Sequence, residues 1–179
     1  SRAAAGTAYR LRPAATPAVP RSDADPIPSL RANAAATLSM LVAARDAGVR
    51  RLIFARASSE YGNTPTLPKR EDMAPSPLSP YALQKVVGEQ YLQMFTRHYG
   101  LETVSTRYFN VFGPRQDPSS PYSGVLSVFA TALLEHRPPT IYGDARPAQA
   151  ATHDRDVHPG VRRGAQAPSP RHRPRPQAT

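Results

Sequence analysis

The chain contains no cysteine and no tryptophan. Without cysteine there is no disulfide framework, no thiolate nucleophile and no thiolate metal ligand. That composition suits a reducing compartment, and the expected location is the cytoplasm. No apolar run is long enough to span a bilayer and no secretory pattern is present, so no membrane partner is expected. Glycine is scarce, ten residues in 179. No G-x-G-x-x-G turn, the kind that seats a pyrophosphate at a helix N-terminus, occurs among them. His153 and His158 lie near Asp154 and Asp156, but no ligand spacing recurs, and no metal is expected. Lysine is nearly missing too: of 23 basic residues only Lys69 and Lys85 are lysine.

Acidic residues are outnumbered, and the formal net charge is +10. Its distribution argues against a nucleic-acid surface. Residues 1–21 carry +4 and residues 145–179 carry +5, which leaves +1 for residues 22–144. No aromatic residue is interleaved with the basic cluster from Arg162 to Arg175, so no base-stacking platform is indicated. No specific nucleic-acid partner is expected.

Between the two basic ends, helical and extended patterns alternate. Apolar and small residues recur at helical spacing from Asp25 to Asp46, with Gly48 as a stop signal. Residues 50–56 read as a buried strand and 62–78 as a proline-rich loop. Ser79 to Tyr99 reads as a helix with Ser79 at its N-cap, Pro80 at its first position and Gly100 closing it. Residues 102–107 read as a strand, 123–136 as a helix and 139–142 as a short strand. This alternation predicts an α/β fold. Met94 and Phe95 read as core, His98 as a surface residue. Gly88, costly inside a helix, predicts close packing on a neighbour.

The chemistry concentrates on Tyr81 and Lys85. Residues i and i+4 share one helix face, about 5–6 Å apart. An ammonium beside a phenol favours the phenolate and lowers a pKa that is ordinarily about 10. A phenol that removes a proton from an alcohol near neutral pH needs that shift. The spacing alone is weak, because an exposed helix pair of this kind is common. A lysine in so arginine-rich a chain adds weight, since a compact point charge is what the pairing requires.

The flanking segments add far more. Arg51-Leu52-Ile53-Phe54-Ala55-Arg56-Ala57-Ser58-Ser59-Glu60-Tyr61-Gly62 lies upstream. Arg107-Tyr108-Phe109-Asn110-Val111-Phe112-Gly113-Pro114 lies downstream, followed by Ile141-Tyr142-Gly143-Asp144. In this order and register they resemble the extended short-chain dehydrogenase/reductase family of NAD-dependent epimerases and dehydratases. Within it the likeness is greatest to UDP-sugar 4-epimerases acting on UDP-glucose or UDP-N-acetylglucosamine.

The resemblance implies a Rossmann-type, doubly wound parallel sheet that binds NAD at the C-terminal ends of its strands. It also implies interconversion of C4 epimers of a UDP-hexose or UDP-N-acetylhexosamine through a 4-keto intermediate. In family terms Tyr81 takes the proton of the sugar hydroxyl, and Lys85 lowers the Tyr81 pKa and bonds the nicotinamide ribose. Tyr108 passes the nicotinamide, and Ala14 follows a strand that lines the cofactor. Asn110 lies near the sugar-nucleotide phosphates, and Asn33 contacts cofactor or pyrophosphate. The intact enzyme is implied to be a homodimer through a bundle that includes the catalytic helix.

Two departures bear on activity. The family has Ser or Thr where this chain has Ala57, so Ser58 or Ser59 must supply the hydroxyl that bonds the substrate. Arg56 stands where a small neutral residue is usual. The expected organisation is a poorly patterned segment over 1–13, a partial epimerase domain over 14–144 and a disordered Arg/Pro-rich tail over 145–179. The first βαβ units and most of the C-terminal substrate domain are expected to be missing, so weak NAD binding and no activity are expected of the chain alone. The alternatives are another UDP-sugar reaction, such as decarboxylation or epimerisation of a UDP-uronate, and a non-catalytic remnant.

Overall fold

The structure, a computed structural model, describes residues 9–12, 19–114, 116–117, 125–139 and 151–166. Three parallel strands form the main sheet in the order β1 (Tyr9–Arg12), β2 (Arg51–Ala57), β3 (Glu102–Tyr108). Tyr9 lies opposite Arg51, and Arg51 lies opposite Glu102. At the far end of the register Ala57 faces Tyr108. A second, two-stranded parallel pair joins β4 (Asn110–Phe112) to β5 (Ala151–His153).

Side-chain alternation divides the helices between the two faces of the sheet. Leu52 and Phe54 of β2 join Leu41, Leu92 and Phe95 in the core, under α3 (Ala36–Asp46) and α4 (Pro80–Tyr99). Thr103 of β3 points the same way, its hydroxyl 2.8 Å from that of Thr96 on α4. Val104, one residue on, points to the opposite face and meets α6 (Asp154–Gln166) at Gly164. Helices on both faces of a parallel sheet make the fold α/β and doubly wound.

The expected run from Asp25 is helical in three parts: α2 (Pro26–Leu30), a π-helical turn over Arg31–Ala35, and α3. It stops at Gly48, which has φ +64°. A six-residue helix, α1 (Val19–Ala24), precedes it. The helix expected over 79–99 holds in detail as α4: the Ser79 hydroxyl accepts from Ala82 N–H at 3.2 Å, and Gly100 is left-handed at φ +71°. A Cβ at Gly88 would lie 3.0 Å from the Phe54 ring, so glycine here sets how closely α4 lies on β2.

Three expectations need correction or fall elsewhere. Residues 151–166, expected to be disordered, form β5 and α6. The reason is tertiary: Gly164 packs on Val104, and the Arg51 guanidinium donates to Gly164 O and Ala165 O at the helix end. Phe95 is in the core, but Met94 is 39% exposed, one residue and about 100° further round the helix. The helix expected over 123–136 is α5 (Val125–Leu134). Residues 140–144, with most of the strand expected at 139–142, lie outside the described residues. Among the described residues no helix is long and apolar enough to cross a membrane.

The loop after β2 depends on Gly62, where φ is +56° and a Cβ would lie 2.0 Å from the Ser76 carbonyl oxygen. That carbonyl is backbone, held where Ser76 N–H donates to Glu60 O at 2.8 Å. Gly62→Ala is therefore expected to destabilise the chain by more than about 2 kcal/mol in urea unfolding. A loss under about 0.5 kcal/mol would show that the loop relaxes freely.

Candidate active site

The site is assembled where β2 and β3 end. Burial drives Leu52, Ile53, Phe54 and Ala55 into the sheet, and the chain then tightens into a 3₁₀ turn over Ser58–Tyr61. α4 starts above this turn with Tyr81 at its second position. One turn on, Lys85 is buried at 4% exposure. Its ammonium donates to the Ala55 carbonyl at 3.1 Å and lies 5.1 Å from the centre of the Phe54 ring. It is 5.7 Å from the centre of the Tyr81 ring. The i, i+4 spacing thus brings phenol and ammonium onto one face, beside the ends of the central strands.

The electrostatics differ from expectation in one respect. Burial raises the Tyr81 phenol above its ordinary 10.0, where depression by Lys85 was expected. The cause is the loss of water around the phenol, which disfavours its charged form. A group whose folded pKa is raised adds stability in full below its unfolded value and loses it as pH climbs through the folded one. The Tyr81 contribution should therefore be whole below pH 10 and fade above it. The phenolate absorbance difference between the parent and Tyr81→Phe should have its midpoint above 10. A midpoint below that value would show that Lys85 dominates.

The remaining predicted residues are distributed as follows. Ser58 is half-buried in the turn. Ser59 Oγ is buried and has no hydrogen-bond partner among the described residues. Tyr108 ends β3 and Asn110, exposed, opens β4 just beyond it. Asn33 is 2% exposed, and its amide is spent on helix packing, donating to Gln84 Oε1 at 2.9 Å and to Ser29 Oγ at 3.3 Å. Ala14 lies outside the described residues.

Two features escaped the sequence reading. The first is a buried ion-pair cluster behind the 3₁₀ turn. Arg56 and Glu60 face each other with side chains 1% exposed, and Glu89 of α4 pairs with the same guanidinium. Arg107 joins from β3, 3.9 Å from Glu89, and donates to the Tyr61 hydroxyl at 2.9 Å. Burial pulls the Arg56 guanidinium down to about 10, with the Glu89 carboxylate opposing it, so the side chain stays charged at neutral pH. The opposite charges at 56 and 60 were the available signal, hidden because the four-residue spacing runs off a strand. The second feature is Ser22, which accepts a hydrogen bond from the Tyr81 amide at 3.0 Å. Nothing in local spacing reveals that contact.

A cavity of about 520 Å³ opens near the same strand ends, lined by Tyr61, Lys69, Arg70, Asp72, Arg107 and Phe109. The Tyr61 and Phe109 rings stack with centres 6.3 Å apart. Among the described residues no three His, Asp or Glu side chains group as a metal site.

A doubly wound parallel sheet, with half-buried Tyr81 and buried Lys85 at the C-terminal ends of its strands, is an arrangement of the Rossmann type. The chain belongs to the NAD dependent epimerase/dehydratase family, whose model matches residues 6–173. It is 42% identical over 132 residues to a UDP-glucose 4-epimerase of Mycolicibacterium smegmatis, covering 73% of this chain and 42% of the relative. A UDP-glucuronate 4-epimerase of Thermodesulfobacterium geofontis is 35% identical over 133 residues, 72% of this chain and 39% of the relative. Among solved structures, UDP-N-acetylglucosamine 4-epimerase from Methanobrevibacter ruminantium, in complex with UDP-N-acetylmuramic acid, superposes with a TM-score of 0.88. It is 36% identical and covers 92% of this chain and 53% of that one. UDP-glucose 4-epimerase from Thermotoga maritima, with UDP-glucose, gives 0.81 at 33% identity over 89% of this chain and 51% of that one. The chain thus spans about two fifths of the length of the curated relatives and about half that of the solved ones.

Proposed function

We propose that the chain carries the catalytic centre of a UDP-sugar 4-epimerase acting on UDP-glucose or UDP-N-acetylglucosamine. The observation that supports this most is Lys85, buried at 4% exposure and fixed by Ala55 O on the face that carries Tyr81. A buried ammonium is costly unless its hydrogen bonds are used, and this one lies where a parallel-sheet fold binds its cofactor.

The donor set fits the nicotinamide-ribose end of NAD. Lys85 has three N–H donors and Tyr81 a hydroxyl, both suited to ribose oxygens. When bound, NAD supplies the acceptor and donor of the C4 hydride. Tyr81 takes the proton of the 4-hydroxyl and returns it to the epimeric alcohol, so it is unchanged over the cycle. Lys85 holds positive charge beside the phenol while it lacks its proton. Ser58 orients the sugar hydroxyl in place of the residue missing at Ala57, and Ser59 supports it from the same turn. Tyr108 and Ala14 are assigned to the nicotinamide end of the cofactor by the family likeness. Asn110 lies toward the sugar-nucleotide phosphates, and Asn33 acts from behind by fixing the helix that carries Tyr81. The exposed Leu83 and Met94 on the outer face of α4 suit a homodimer built on that helix. The cysteine-free composition fits the cytoplasm.

The test is incubation of the purified chain with NAD and UDP-glucose, UDP-N-acetylglucosamine or UDP-glucuronate, with the C4 configuration read by proton NMR. Inversion of the first two supports the reading. Inversion of UDP-glucuronate alone moves the assignment to the uronate, as the relative of that activity suggests. Binding of UDP-sugar without any inversion makes the chain a non-catalytic remnant.

A further inference from the structure

We propose that Ser22 is a positioning residue for Tyr81, holding the backbone that presents the phenol. The role rests on Tyr81 as the proton carrier; the anchoring bond does not.

The first turn of a helix leaves backbone N–H groups without intrahelical partners. In α4 each of these donors has a different solution. Pro80 has no N–H to satisfy. Ala82 N–H goes to the Ser79 hydroxyl at 3.2 Å, the local cap. Leu83 N–H goes to Ser79 O at 3.0 Å, the first bond of the helix itself. Tyr81 N–H goes to the Ser22 hydroxyl at 3.0 Å, 59 residues away in the chain. The residue that carries the chemistry is therefore the one whose amide is held from outside α4.

Ser22 is built for that single contact. It is 1% exposed and is the only buried residue of α1. α1 thus docks on α4 through a hydroxyl and not through an apolar stripe. The hydroxyl proton is committed to Val19 O at 2.8 Å, which turns the oxygen lone pairs toward Tyr81. With one side-chain torsion and both hydrogen bonds used, the oxygen has little freedom. A short misplacement of a catalytic group costs rate steeply, so a fixed Tyr81 backbone matters more than the bond's own strength.

The decisive measurement is residue-resolved amide hydrogen exchange by NMR on the full 179-residue chain. The parent is compared with Ser22→Ala, Ser22→Thr and Ser79→Ala. Ser22→Ala should speed exchange at Tyr81 by about tenfold or more while Leu92 and Phe95 stay unchanged. Ser79→Ala should speed Ala82 and spare Tyr81. Ser22→Thr keeps the oxygen and should restore Tyr81 protection. An unchanged Tyr81 amide in Ser22→Ala, or equal acceleration along all of α4, overturns the proposal. Should Ser22→Ala fail to fold, Ser22→Cys replaces it, since a thiol is a poor acceptor. Turnover supplies the second arm: Ser22→Ala should lower kcat for C4 inversion at least tenfold with KM for UDP-glucose unchanged, and Ser22→Thr should recover it. An unchanged kcat overturns the positioning role. If the parent itself inverts no UDP-sugar, the functional reading fails, and exchange alone decides whether Ser22 anchors Tyr81.

Discussion

Arg56→Met is expected to destabilise the chain by about 3–5 kcal/mol, enough to unfold a marginally stable domain. The side chains of Arg56 and Glu60 are each 1% exposed, so removing the guanidinium strands a carboxylate with no water to receive it. Glu89, 18% exposed, loses the same partner but keeps Arg107 at 3.9 Å. The double variant Arg56→Met/Glu60→Leu removes both desolvated charges and should lie within about 1 kcal/mol of the parent. Urea midpoints of the two single variants and the double one decide the matter. A single Arg56→Met that costs under 1 kcal/mol would mean that water reaches the cluster. A double variant as weak as the single would mean that the charges are needed for the shape of the 3₁₀ turn.

Tyr81→Phe should lower C4 inversion by about 10²–10⁴-fold while leaving the urea midpoint near that of the parent. Only the hydroxyl is lost, and the ring keeps its place beside Lys85. Lys85→Met should be as damaging to rate, for another reason. It removes the buried positive charge and the bond to Ala55 O at 3.1 Å. Its rate loss should shrink at alkaline pH, where a phenolate no longer needs the ammonium, whereas the Tyr81→Phe loss should not. The comparison is a pH profile of kcat on both variants. A Tyr81→Phe chain retaining a tenth of the parent rate would move the proton chemistry to another residue.

What could be read from the chain was local. Ser79, Pro80 and Gly100 mark the ends of α4, because caps and left-handed stops are set by neighbours in sequence. The Tyr81–Lys85 face follows from helical geometry. What could not be read was decided by residues distant in sequence. Asn33 looked available to a ligand, yet Gln84 and Ser29 take its amide. The polar segment after residue 150 looked unable to pack, yet Arg51 and Val104 give α6 a seat on the sheet. The phenol of Tyr81 was expected to be acidified by its neighbour, but burial, a tertiary property, sets its direction.

The register of the main sheet has a consequence for how the chain assembles. Arg51 pairs with Tyr9 on one side and Glu102 on the other, so β2 is the seam for both flanking strands. Each pairing closes a loop of some forty to fifty residues before a single ladder bond forms. The helices need no such closure and can form early, so strand pairing is the slow event. Among the described strands, β1 and β3 meet only through β2, so neither pairs within this sheet until β2 is in place. During synthesis from the N-terminus, β1 waits through α1, α2 and α3 for its neighbour, and β2 waits through α4 for the strand that completes its pairing. The arrangement that places Tyr81 and Lys85 above the strand ends is therefore complete only once β3 closes on β2.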